Sequence, residues 1–191
     1  MPLLSLPIDV LELIMKDLAS MEAQQTRQGD GRPSDLASCS LVAKELVDIA
    51  QRCLFHAHTV ILGRERQHTG PESTLRFMRT VIENPKIGSY VRNLVYCVDQ
   101  SDLESKEVAE GLGVLSNIVE LRIKGPYVGW QMPSLDSPWG GALLSILVRG
   151  TIDRLKLVFV SLSLSALSRI SANAGKLDLA YVTVIPDDVG L

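Results

Sequence analysis

The sequence predicts a mixed α and α/β chain, in which a small helical domain is followed by a short, irregular array of strand-helix units. Two patterns predict it. Up to about residue 58 the apolar residues recur at three- and four-residue intervals, the period of helices with one packed face. From about residue 90 the pattern changes to short L-x-Φ steps, whose two apolar side chains point to one face of a strand, separated by segments with helical spacing.

The first element follows Pro7, where Ile8, Leu11, Ile14, Met15 and Leu18 share one helical face. Pro7 suits a first turn, where its missing N–H is not needed, and Asp9 and Glu12 complement the positive end of the helix dipole. Ser20 to Ser34 is polar, contains Gly29, Gly31 and Pro33, and reads as a mobile loop. Ser34 or Asp35 can cap a second helix carrying Leu36, Cys39 and Val42, and Leu46, Val47, Ala50, Cys53 and Leu54 mark a third. Residues 59–89 form a connecting segment: Thr59 to Leu62 is β-prone, Pro71 opens a helix with Leu75, Met78, Val81 and Ile82 on its stripe, and Asn84-Pro85 stops it.

Residues 90–191 carry the array. Its strand steps are Leu94/Tyr96, Leu121/Ile123, Leu155/Leu157 and Leu177/Leu179. The helical segments between them carry Val108, Leu112 and Leu115, then Leu143, Leu144, Leu147 and Val148, then Leu164, Leu167 and Ile170. A right-handed strand-helix solenoid is the simplest architecture, because each unit buries its apolar face only against its neighbours; an open α/β sheet is the competitor. The last unit, from Lys176 to Val184, is followed by no polar capping helix, so the array reads as incomplete at its C-terminal end.

With 191 residues, 46% of them hydrophobic and 21% charged, the composition is that of an ordinary globular chain. The net charge is −3 and the cations are scattered along the sequence, so neither nucleic acid nor membrane is expected as a partner and acidic partners are not implied. Met1 to Met15 lacks a basic n-region and is broken by Asp9 and Glu12, which argues against a secretory signal. No uncharged stretch reaches the roughly 20 residues of a membrane span. The odd set Cys39, Cys53 and Cys97 has no CxxC spacing, which points to a reducing compartment, cytoplasmic or nuclear.

Catalytic chemistry is not indicated. His56 and His58 after Cys53 have few carboxylates near them and read as surface histidines rather than metal ligands, and the cysteines lie in apolar runs. Gly63, Gly70, Gly111 and Gly113 form no phosphate loop, so no cofactor, no metal and no enzyme activity is expected. The most unusual stretch is Gly125 to Gly141, which holds both tryptophans. Tyr127, Trp130 and Trp139 there are candidates for substrate contact, since such rings give contact area at low entropy cost; a loop folded back over the preceding unit is the alternative.

The order of motifs at the N-terminus resembles a known family. Leu6-Pro7-Ile8-Asp9-Val10-Leu11, then Ile14 and Leu18, Asp35-Leu36, Cys39-Ser40-Leu41-Val42-Ala43-Lys44 and Leu54-Phe55 are together similar to an F-box. Leu75-Arg76-Phe77 to Asn84-Pro85 and Tyr90-Val91-Arg92-Asn93-Leu94 resemble the segment joining an F-box to irregular leucine-rich repeats in many fungal proteins, and Leu115 to Ile123 has the form of such a repeat. The strand steps start 27, 34 and 22 residues apart, and their average falls within the repeat lengths of that class. The resemblance implies a three-helix F-box over residues 1–58 that docks on a Skp-type adaptor and through it a cullin, with the repeats holding a protein substrate for ubiquitination. Leu6, Pro7, Val10, Leu11 and Ile14, with Leu36, Leu41 and Val42, would form the adaptor face; a plain helical core is the other account of the same residues. A repeat scaffold with no ubiquitin link, or a truncated product, are the alternatives for the whole.

Overall fold

The computed structural model describes residues 6–25, 44–57, 59–63, 71–149 and 152–187. The chain is mixed α/β and divides into two compact units, Met1–Thr59 and Val60–Leu191.

In the first unit, α1 (Ile8–Gln25) packs against α2 (Lys44–Ala57). The Pro7 carbonyl accepts from the N–H groups of Val10 and Leu11, so the proline stands at the boundary, one residue before the first helical one. Leu11, Met15 and Ala19, spaced four apart, meet Leu46, Ile49 and Cys53 in a small buried cluster, with Leu6, Leu18 and Leu54 at its edge. Glu12 holds Arg52 at 2.9 Å across the two helices. The helix runs past the start of the expected loop: Ser20 to Gln25 is helical, because no glycine or proline interrupts it and Ala19 is still anchored in the cluster. The rest of that loop and the expected second helix, with Leu36, Cys39, Leu41 and Val42, lie outside the described residues.

In the second unit the L-x-Φ steps are parallel strands. β1 (Thr59–Leu62), β2 (Asn93–Cys97), β3 (Glu120–Lys124), β5 (Arg154–Val158) and β7 (Lys176–Ala180) form one sheet in that order. Their register aligns Leu94, Leu121, Leu155 and Leu177 in one column and Tyr96, Ile123, Leu157 and Leu179 in the next. A second sheet, β4 (Trp130–Gln131), β6 (Val160–Ser163) and β8 (Thr183–Ile185), is also parallel. Thus Ser161 to Ser163 ends a strand, and the helix begins at Leu164.

Between the strands lie α3 (Pro71–Glu83), α4 (Pro85–Tyr90), α5 (Lys106–Val114), α6 (Pro138–Val148) and α7 (Leu164–Ser171). Asn84-Pro85 ends α3 and immediately starts α4, since proline fits a first helical position as well as it ends a helix. Ser105, Ser137 and Ser163 cap α5, α6 and α7, each hydroxyl accepting from the backbone N–H three residues on. α3, α5 and α6 pack successively, and α5 meets α3 closely where Gly111 faces Met78: a Cβ at Gly111 would stand only 2.7 Å from the Met78 sulfur. Burial alternates along β3 and over the first four residues of β2 and β5: the two leucine-bearing columns face the helices, and the opposite face is open except at its C-terminal row, where Cys97 and Val158 are buried.

Candidate functional site

In the helical unit, α1 presents two kinds of apolar residue. Leu11 is only 6% exposed and belongs to the cluster against α2, which corrects its expected place on a docking face: packing one helix against another uses the most central position of the stripe. Leu6 is half-buried at the edge of that cluster. Pro7 is exposed, Val10 and Ile14, each 40% exposed, share with Leu13 a side of α1 outside the cluster, and Ile8 is exposed at the helix start. Leu36, Leu41 and Val42 lie outside the described residues. Cys53 sits in the cluster, where burial pushes its thiol above the ordinary value, the opposite of what a nucleophile needs.

The Gly125 to Gly141 segment folds back. Trp130 and Trp139 are buried core residues, not surface contacts, while Tyr127 is exposed. The two indoles meet edge to face with centroids 6.2 Å apart, and Trp139 also lies beside Tyr96. The segment's own chemistry explains the burial: Trp139 Nε1 donates to Tyr96 Oη at 3.4 Å, and Tyr96 Oη donates to the buried Asp102 Oδ2 at 2.9 Å. Asp102 also accepts from the Asp99 N–H in a reciprocal capping box around the 3₁₀ turn Gln100–Leu103. Burial pushes the Asp102 carboxyl above its usual range and the Tyr96 hydroxyl strongly upward. Proton transfer to a substrate is not what this triad is placed for, because it is sealed within the core.

The open face of the first sheet gathers residues that the sequence scatters. One row across the strands reads Asn93, Glu120, Arg154, Lys176, and the next reads Val95, Arg122, Lys156, Asp178. A third reads Cys97, Lys124, Val158, Ala180. Five cations therefore share this face with two carboxylates. Arg154 reaches Glu120 at 3.3 Å and Asp178 at 4.0 Å, and Lys176 reaches Asp178 at 3.7 Å, so both carboxylates are engaged. The cations were invisible as a cluster because in-register stacking joins residues 22 to 34 positions apart; the signal was the charged residue placed between the two apolar positions of successive strand steps.

Elsewhere a shallow depression on α3 is lined by Leu75, Arg76, Arg79, Thr80 and Glu83, with Arg79 held by Glu107 at 3.0 Å. Among the described residues no group of three His, Cys, Asp or Glu could hold a metal ion, and no helix is long and apolar enough to cross a membrane. Comparison with family models, with curated proteins and with solved structures finds no match.

Proposed function

We propose that this chain is the substrate receptor of a Skp-cullin-F-box ubiquitin ligase, its N-terminal helices docking on a Skp-type adaptor and its strand-helix array, read as irregular leucine-rich repeats, binding a protein substrate. The observation that carries the reading is the exposed apolar stripe on α1, Val10, Leu13 and Ile14, which follows the Leu6-Pro7 opening of an F-box-like motif and lies outside the cluster against α2. Exposed apolar residues gathered on one helix are what a partner's groove removes from water. The aligned parallel strands of the second unit suit a receptor that holds a substrate while transfer chemistry is done by other subunits. Such a complex would work in the cytoplasm or nucleus, which fits the buried thiols of Cys53 and Cys97.

The test is capture of a purified recombinant fungal Skp-type adaptor by the chain and by its Val10→Asp/Ile14→Asp variant. These positions are chosen because they are outside the cluster that Leu11 fills, so the variant keeps its fold. Capture by the wild type, weakened at least about tenfold in a variant of unchanged circular dichroism, is the expected result; two charges in a contact patch cost more than the roughly 1.4 kcal/mol that a tenfold loss requires. A folded wild type that captures no adaptor removes the ligase reading and leaves a repeat scaffold.

A further inference from the structure

From the charge of the open sheet face we infer that it is a binding surface for an acidic polypeptide segment, one carrying several Asp or Glu side chains in extended form. The inference rests on the receptor reading only for its biological purpose, and it names the class of substrate that the array would hold.

The surface is the reverse of the molecule's overall charge. The chain carries −3, while the three rows of the sheet carry five cations against two carboxylates. Glu120 on β3 engages Arg154 on β5, and Asp178 engages Lys176, both on the edge strand β7. In the next two rows of β3 and β5 stand Arg122, Lys124 and Lys156, and no ion pair joins Lys124 or Lys156 to a carboxylate among the described residues. Parallel strands lie about 4.8 Å apart and alternate residues on one face about 6.6 Å apart, so these cations form a grid at the spacing of carboxylates on every second residue of an extended chain. Val95 and Ala180, both half-buried, supply small apolar contacts within the same rows.

An acidic peptide fits better than a nucleic acid. The two carboxylates within the rows repel a continuous phosphate backbone, whereas a peptide can place a neutral or basic residue opposite them. No aromatic ring lies in the three rows, and Phe159 and Tyr181, which follow the third row after β5 and β7, are paired with each other at 5.2 Å.

The experiment is fluorescence anisotropy of the full chain with a labelled octapeptide alternating Glu and Ala, its Gln and Ala counterpart, and a labelled 12-nucleotide single strand. The Glu peptide is expected to bind at least tenfold more tightly than the Gln peptide, and to weaken as salt rises. Lys124→Glu/Lys156→Glu should abolish the preference and Lys124→Gln/Lys156→Gln should reduce it, with circular dichroism unchanged. Lys86→Glu/Lys106→Glu, on exposed helix positions, makes the same change in net charge and should leave binding within twofold. Equal binding of the two peptides, no binding of either, insensitivity to the Lys124 and Lys156 changes, or tighter binding of the oligonucleotide overturns the inference. Because no adaptor takes part, peptide binding that survives a failed adaptor capture separates this surface from the ligase reading.

Discussion

At the scale of single residues, the Tyr96, Asp102 and Trp139 triad shows how a buried carboxylate is made tolerable and what it costs. Asp102 is held by the Tyr96 hydroxyl and the Asp99 N–H, and burial nevertheless raises its pKa. A carboxyl with a raised folded-state pKa binds its proton more tightly in the folded than in the unfolded chain, so its contribution to stability is full below the unfolded value near 4 and is lost as pH rises through the folded value. Asp102→Asn is therefore expected to remove the loss of stability that Asp102 contributes as pH rises from about 4 toward neutrality. Tyr96→Phe removes one donor from a charge that stays buried, and should lower stability at pH 7 by about 1–3 kcal/mol. Urea titrations at pH 4.5 and 7 check both: a Tyr96→Phe loss no larger at pH 7 than at pH 4.5 contradicts the account.

At the scale of elements, the strands were legible because each L-x-Φ step carries its own two-residue period, and the register then aligned all four without a slip. What was not legible is what depends on contacts between units. The second sheet uses strands of two to four residues whose side chains have no clean alternation, and Trp130 in it reads as a loop aromatic until Val160 pairs with it. For the same reason the site was half legible: the cations and the exposed Val10 and Ile14 were all in view, but which residues share a face, and that Leu11, Trp130 and Trp139 are core, required the packing. Helix contacts give a paired test. Gly111 approaches Met78 of α3 too closely to admit a side chain, whereas Gly113, two residues later in α5, has open space. Gly111→Ala should cost about 1–3 kcal/mol by overpacking, and Gly113→Ala should be neutral or stabilise by up to about 1 kcal/mol through helix propensity. Equal effects in thermal denaturation would contradict this packing of α3 against α5.

At the scale of the whole molecule, the consequence of a sequential parallel sheet is that stability is shared only between neighbours. The second column makes this measurable, since Ile123 and Leu157 are fully buried while Leu179, at the equivalent place on β7, is 46% exposed. The three side chains are nearly the same size and hold the same register, so only the presence of neighbours on both sides differs. Leu157→Ala is expected to cost about 2–5 kcal/mol, the range for emptying a packed site, while Leu179→Ala should cost under about 1.5 kcal/mol because much of its surface is already in water. Amide hydrogen exchange should follow the same gradient, with β7 and β8 opening before β3 and β5 and with Leu157→Ala accelerating exchange in both flanking strands. A uniform exchange rate across the sheet, or a Leu179 cost equal to that of Leu157, would mean that the unit opens as one cooperative body. In that case the cation grid on its open face would be lost or kept as a whole, whereas nearest-neighbour coupling lets Lys176 and Asp178 on β7 loosen while Arg122, Lys124 and Lys156 remain in place.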